Sequence, residues 1–124
     1  MDNNVEVMLY VKNVAENAAF WDAIGFSVLE TTDFSGTKLT SIKTTEDSNT
    51  IFNLYDIEQV RKMSPEVADN RPSVLFHAKN LDELNEKITA AGGKTSDIMT
   101  FENGVRITNF ADNEGTYFAV LESN

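Results

Sequence analysis

The chain contains one sequence pattern twice, and the two copies are 67 residues apart, as the equivalent residues Asn13 and Asn80 show. Each copy opens with a β-rich run that ends in the dipeptide Lys-Asn, and each has an equivalent glycine further along, Gly25 or Gly92. A single copy of about 55 residues could cover only one face of a small sheet and would be marginally stable. The repeat therefore predicts a fold assembled from two similar units.

A helix is predicted after the opening strand of each copy. Asn13 and Asn80 are typical helix N-caps, and a glutamate follows each of them three residues later, as in a capping box. The glycine closes each helix because glycine readily takes positive φ. In the second copy, apolar residues recur at helical spacing at 81, 84, 88 and 91. The equivalent positions of the first copy are 14, 17, 21 and 24, and all of them except Asn17 are apolar. We expect Phe20 and Trp21 to pack in the core rather than contact a ligand.

Three more β patterns follow each helix, so each copy reads β-α-β-β-β. They cover 26–32, 37–43 and 50–55 in the first copy, and 94–100, 105–110 and 116–121 in the second. The turn predicted between the first two is Phe34-Ser35-Gly36. The modules span 5–56 and 72–122, and residues 57–71 form the linker between them. One interpretation of the linker places a short helix in it. The fold class is α+β, with a curved mixed sheet, helices on its convex side and a pocket on its concave face.

Composition narrows the class of partner. The formal net charge is −10, from 20 acidic and 10 basic residues, so the chain repels phosphate backbones and nucleic-acid binding is not expected. The charge favours solubility or, alternatively, a cationic ligand. The chain has no cysteine, which excludes disulfides, thiolate metal sites and a cysteine nucleophile. Without an apolar run of about 18–20 residues or a secretory signal, no membrane association and a cytoplasmic location are expected.

The order of these motifs resembles the vicinal oxygen chelate superfamily, which includes glyoxalase I, bleomycin-resistance proteins and extradiol dioxygenases. The resemblance is carried by residues 9–13, by residues 19–26 and by the turn at residues 110–115, where Asn113 replaces the usual proline. It covers nearly the whole chain and implies tandem βαβββ modules. It also implies a homodimer, because many members complete or cover their pockets with a second copy. The fold hosts many activities, so it does not by itself fix one.

Metal-dependent members of that superfamily bind a divalent ion with His and Glu from equivalent strands of both repeats. The resemblance places these positions at Glu6 and Ser73 in the opening strands and at Asn53 and Ala119 in the closing strands. Only Glu6 is a good ligand, whereas a catalytic zinc site generally needs three from His, Cys, Asp and Glu. We therefore predict no bound metal and no cofactor.

Strand alternation predicts which side chains line the pocket. If Glu6 faces the pocket, every second residue of the opening strands faces it too, starting from Glu6 and from the equivalent Ser73. In the closing strands, every second residue from Asn53 and from Tyr117 faces the pocket. The predicted lining is Glu6, Met8, Tyr10, Asn53, Tyr55, Ser73, Leu75, His77, Tyr117 and Ala119. This mixed apolar and aromatic wall with a few polar groups is typical of small-ligand pockets.

Three ionisable residues have alternative interpretations. Glu6 is the candidate catalytic residue, as a base or as a charged group that binds a cation, and the alternative is a solvated carboxylate at a strand end. His77 is the single histidine. One interpretation is a general acid or base, and the other is a histidine at the rim of the pocket without a catalytic role. Arg106 pairs with a nearby acid or contacts an anionic ligand.

Three functional hypotheses follow. The leading one is a metal-independent small-molecule binding protein, similar to the bleomycin-resistance branch, that sequesters an amphipathic or cationic ligand. The second is a divergent glyoxalase-like lyase or isomerase with Glu6 as base. The third is a non-catalytic scaffold that acts through contacts with partner proteins. The missing metal ligands favour a protein that is not an enzyme.

Overall fold

The computed structural model describes residues 1–34 and 37–122. The chain forms two compact units, Met1–Pro72 and Ser73–Asn124. Both units pair a mixed sheet with helices, so the predicted α+β class and the tandem βαβββ architecture are confirmed. Within the described ranges, no helix combines the length and the apolar character needed to cross a membrane.

The first unit is a four-stranded sheet with two helices. Its elements are β1 (Glu6–Val11), α1 (Val14–Ala23), β2 (Ser27–Phe34), β3 (Thr37–Lys43), β4 (Ile51–Asp56) and α2 (Ile57–Met63). The strand order is β1-β4-β3-β2, with β1 parallel to β4 and the other pairs antiparallel. Helix α1 packs on β2, β3 and β4, and it therefore covers one face of this sheet.

The second unit repeats that arrangement. Its elements are β5 (Leu75–Ala78), α3 (Leu81–Ala90), β6 (Lys94–Thr95), β7 (Met99–Thr100), β8 (Arg106–Ala111) and β9 (Tyr117–Glu122). The strand order is β5-β9-β8-β6, and β7 also pairs with β8. Strand β5 is parallel to β9, as β1 is to β4, and α3 packs on β6, β8 and β9.

The repeat extends to strand register. Met8 lies opposite Asn53 in the first unit, and the equivalent Leu75 lies opposite Ala119 in the second. The helix caps repeat as well, since Asn13 accepts from the Glu16 backbone N–H at 3.0 Å and Asn80 from that of Glu83 at 3.1 Å. The same local sequence thus produces the same strand–helix junction twice.

Each unit has an aromatic core beneath its helix. In the first, Trp21 is fully buried and its indole Nε1 donates to Asn17 Oδ1 at 3.0 Å. This bond explains the polar residue in the helical stripe, because a buried amide must find a partner. Phe20 is buried too, as expected. In the second unit, Phe76, Phe110 and Phe118 pack together with ring centroids 5.6–6.3 Å apart.

The second unit departs from the predicted strand 94–100, which is split into β6 and β7. Between them, the Ser96 N–H donates to Asn109 O at 2.9 Å and Ser96 O accepts from Thr108 Oγ1 at 2.9 Å. The first unit has an irregularity at the equivalent place, a register shift between Val28 and Thr31 in β2. A bulge of this kind increases the local twist of the strand. In the predicted turn at 34–36, Ser35 and Gly36 lie outside the described residues.

Candidate functional site

The face of the first sheet that α1 does not cover carries the polar candidates. We call it the first open face and define it by Glu6, Met8, Tyr10, Ser41, Asn53 and Tyr55. Along β1 the alternation is clear, because Leu9 and Val11 are buried whereas Met8 is 43% exposed. The register places Met8 opposite Asn53 and Tyr10 opposite Tyr55. Six side chains from three strands therefore share one surface.

A chain of hydrogen bonds crosses this face from β3 to β1. The Ser41 hydroxyl donates to Asn53 Oδ1 at 2.6 Å, and Asn53 Nδ2 donates to Glu6 Oε1 at 2.7 Å. Asn53 is only 5% exposed, whereas Glu6 at the end of the chain is exposed. The amide is thus fixed from both sides, and the carboxylate that it holds is open to solvent.

The chemistry of these groups fixes the direction of the chain. An ionised carboxylate can only accept, so Asn53 must turn its NH₂ group toward Glu6. Its carbonyl oxygen then faces Ser41, which must donate. The partners of the amide therefore dictate its orientation. Every donor along the chain points toward Glu6.

Two tyrosine rings lie on the same face as the carboxylate. Tyr10 and Tyr55 meet edge to face, with ring centroids 6.4 Å apart and an angle of 64° between the planes. Burial raises the pKa of the Tyr55 phenol above its ordinary value, and the negative charge of Glu6 raises it further. The site combines a carboxylate with π faces, the two features that attract a cation.

The uncovered face of the second sheet is more apolar. Leu75 is 51% and Tyr117 is 61% exposed, and Leu75 lies opposite Ala119. His77 is exposed near the end of β5. Ser73 precedes β5 and is also exposed, so it lies outside the regular strand in which its sequence position had placed it.

The structure decides between the two interpretations of Arg106. Its guanidinium pairs with Glu122 at 3.1 Å and with Asp82 at 3.3 Å. Glu122 Oε2 also accepts from the Leu81 backbone N–H at 3.0 Å, at the N-terminus of α3. Arg106 therefore joins β8, β9 and α3 through acidic partners.

The residues at the family's metal positions do not fit a divalent ion. The Asn53 amide is engaged on both sides, Glu6 Oε1 already accepts a hydrogen bond, and Ala119 has no donor atom. Over residues 1–34 and 37–122, no group of three or more His, Cys, Asp or Glu side chains is arranged to hold a metal. A zinc or nickel site needs more N, O or S ligands than these residues offer.

Of the predicted lining residues, the structure brings together Glu6, Met8, Tyr10, Asn53 and Tyr55 in the first unit. In the second unit it places Leu75 beside Ala119. Sequence reasoning missed Ser41, which lies directly opposite Asn53 on β3. Alternation within β3 would have put Ser41 on one face with Leu39, but only the register of β3 against β4 identifies its partner.

Comparisons with known proteins place the fold. No protein-family model matches the chain, and no curated protein matches it in sequence. Among solved structures, a hypothetical protein from S. aureus is similar over 99% of this chain and 95% of its own, with a TM-score of 0.81 and 21% identity.

Two further neighbours share the fold. A member of the glyoxalase/bleomycin resistance protein/dioxygenase superfamily from Sphaerobacter thermophilus DSM 20745 is 15% identical, with a TM-score of 0.77 and coverage of 99% and 98%. TnmS3, an antibiotic binding protein from Streptomyces sp. CB03234, is 13% identical, with a TM-score of 0.77 and coverage of 100% and 98%. The resemblance to the vicinal oxygen chelate superfamily is thereby confirmed at the level of the fold.

Proposed function

We propose that this chain, which has the vicinal oxygen chelate fold, is a metal-independent protein that binds and sequesters a small amphipathic or cationic molecule. The observation that carries the proposal is the Glu6 carboxylate, which Asn53 holds on the same face as the Tyr10–Tyr55 pair and whose charge raises the pKa of Tyr55. A cation gains from the charge and from the π faces, whereas an apolar portion of the ligand gains from burial against the rings.

Metal independence is supported by the chemistry of the first open face. In this chain the position of a metal ligand is filled by an amide whose two ends are both hydrogen-bonded. The fold also serves binding without any named reaction in one neighbour, the antibiotic binding protein from Streptomyces. We further propose a cytoplasmic location, because the composition is acidic and free of cysteine. The resemblance to the superfamily is the ground for proposing a homodimer.

The test is a calorimetric titration with naphthylmethylamine, which is cationic and aromatic. We expect saturable binding that Glu6→Gln weakens by about tenfold, since a hydrogen-bonded charge pair is lost. The matched control is Glu66→Gln, which makes the same change in net charge at an exposed residue between α2 and β5. Absence of binding at high micromolar amine, or an equal loss in both variants, would contradict the proposal.

Elemental analysis of the purified protein tests the metal-independent part. We expect no stoichiometric metal, and no change in amine affinity after addition of nickel, zinc or manganese. A stoichiometric metal, or lyase or isomerase activity that appears on its addition and is lost in Glu6→Gln, would replace the binding function with the enzymatic one.

A further inference from the structure

We infer that Ser41 makes the first open face selective for cations that carry N–H groups, such as protonated amines, amidines and guanidines. The inference rests on the proposed binding function and names the class of ligand. It starts from the direction of the hydrogen-bond chain, in which Ser41 donates to Asn53 and Asn53 donates to Glu6.

The chain of hydrogen bonds ends at the Glu6 carboxylate, which can only accept hydrogen bonds. An ionised carboxylate has about four acceptor positions, and Asn53 occupies one of those on Oε1. Glu6 is exposed, so the remaining positions are accessible to a ligand. A ligand N–H can donate a hydrogen bond to one of these positions on the carboxylate. A quaternary ammonium of equal charge has no N–H hydrogen to donate.

Ser41 controls this selectivity through Asn53 rather than by contact with the ligand. Its 2.6 Å bond fixes the carbonyl end of the amide, which leaves the NH₂ end aimed at Glu6. Without that bond the amide can rotate, and the carboxylate loses the contact that holds one of its oxygens in place. A directional N–H bond to a carboxylate that is not held in place must also order the side chains of Glu6 and Asn53. This ordering costs conformational entropy and lowers the affinity.

A quaternary ammonium depends much less on this order. It binds through charge and through the ring faces of Tyr10 and Tyr55, neither of which requires an aligned acceptor. Ser41 is therefore a positioning residue whose loss should change the ratio of the two affinities, not only their common level.

The experiment compares naphthylmethylamine with its N,N,N-trimethyl analogue, which has the same charge and ring. On the wild-type protein we expect the amine to bind about tenfold or more tightly, the usual scale for a hydrogen bond to a charged group. Ser41→Ala should reduce this ratio severalfold, and Ser41→Thr, which keeps the hydroxyl, should restore most of it.

The control variant is Thr40→Val. Thr40 is the buried neighbour on the other side of β3, and its hydroxyl is 2.8 Å from that of Thr31. This change also removes a hydroxyl hydrogen bond from β3, but it should leave the affinity ratio unchanged. An equal fall in Thr40→Val would show a general effect of a weakened strand and would overturn the role of Ser41.

The outcomes separate this inference from the function beneath it. Equal binding of both probes by the wild-type protein overturns the inference and leaves the binding function intact. Binding of neither probe removes the function itself. Equal binding overturns the inference even if Ser41→Ala fails to fold, and Ser41→Thr, which should keep the wild-type ratio, then tests the role of the hydroxyl.

Discussion

Asn53 differs from an ordinary strand residue because it is polar, nearly buried and bonded at both ends. A buried amide with one missing partner is costly, so Ser41 and Glu6 are both needed to make the position stable. The same three residues hold a carboxylate whose charge acts on Tyr55. At the scale of the residue, stability and the proposed ligand recognition depend on the same bonds.

Tyr55 reports on this arrangement through its pKa. Burial is the largest cause of its raised pKa, and the charge of Glu6 comes next. Glu6→Gln should therefore lower the pKa of Tyr55, but not fully to its ordinary value, since burial remains. Titration of tyrosine absorbance at alkaline pH, with Tyr55→Phe to assign the signal, measures the change. An unaltered pKa in Glu6→Gln would place the carboxylate farther from the ring than the structure does.

The raised pKa also fixes the direction of a pH effect on stability. The unfolded chain releases the phenolic proton near pH 10, whereas the folded chain holds it to higher pH. The contribution of Tyr55 is thus complete below pH 10 and is lost as pH rises through the folded pKa. Tyr55→Phe should lose less stability than wild type between pH 9 and about pH 11 in denaturant titrations.

At the scale of the element, the end of β9 is tied to the start of α3. Glu122 accepts from the Leu81 N–H and from Arg106, whereas Asp82 contacts Arg106 from an exposed position. The two acids bind the same guanidinium in different surroundings. Partly buried acceptors contribute more to stability than exposed ion pairs do.

Substitution of the two acids should therefore have unequal effects. Glu122→Ala should lower the free energy of unfolding by about 1–3 kcal/mol, because it removes the acceptor of the Leu81 N–H and one of the two acidic partners of Arg106. Asp82→Ala should cost about 0–1 kcal/mol, as an exposed pair does. Chemical denaturation of both variants measures the difference. Equal losses would mean that the contact with Leu81 contributes little.

At the scale of the whole molecule, each unit has its own sheet and its own aromatic core. In each unit the helix after the first strand covers one face of the sheet, and the opposite face of the second unit carries Leu75 and Tyr117, both more than half exposed. Exposed apolar side chains gathered on one face favour contact with a ligand or with another chain.

The proposed homodimer is the prediction that belongs to this scale. Sedimentation equilibrium at micromolar concentration should give a mass of two chains. Leu75→Lys together with Tyr117→Lys should shift the mass toward one chain if the face of the second unit lies in the dimer contact. Glu66→Gln together with Glu58→Gln, at exposed positions of the first unit, makes the same total change in charge and serves as the control. A monomeric wild-type protein would contradict the prediction.

The sequence by itself determined the elements and their repetition, because the signals are local. Asn13 and Asn80 cap helices with their own neighbours, and strand alternation separates Leu9 and Val11 from Met8. Tertiary structure alone decided what these elements bring together. The Ser41–Asn53 contact needs the register of β3 on β4, the Asn53–Glu6 contact joins residues 47 apart, and the split of β6 from β7 depends on bonds to β8. Such contacts form only when distant segments pack, and no local pattern along the chain encodes their register.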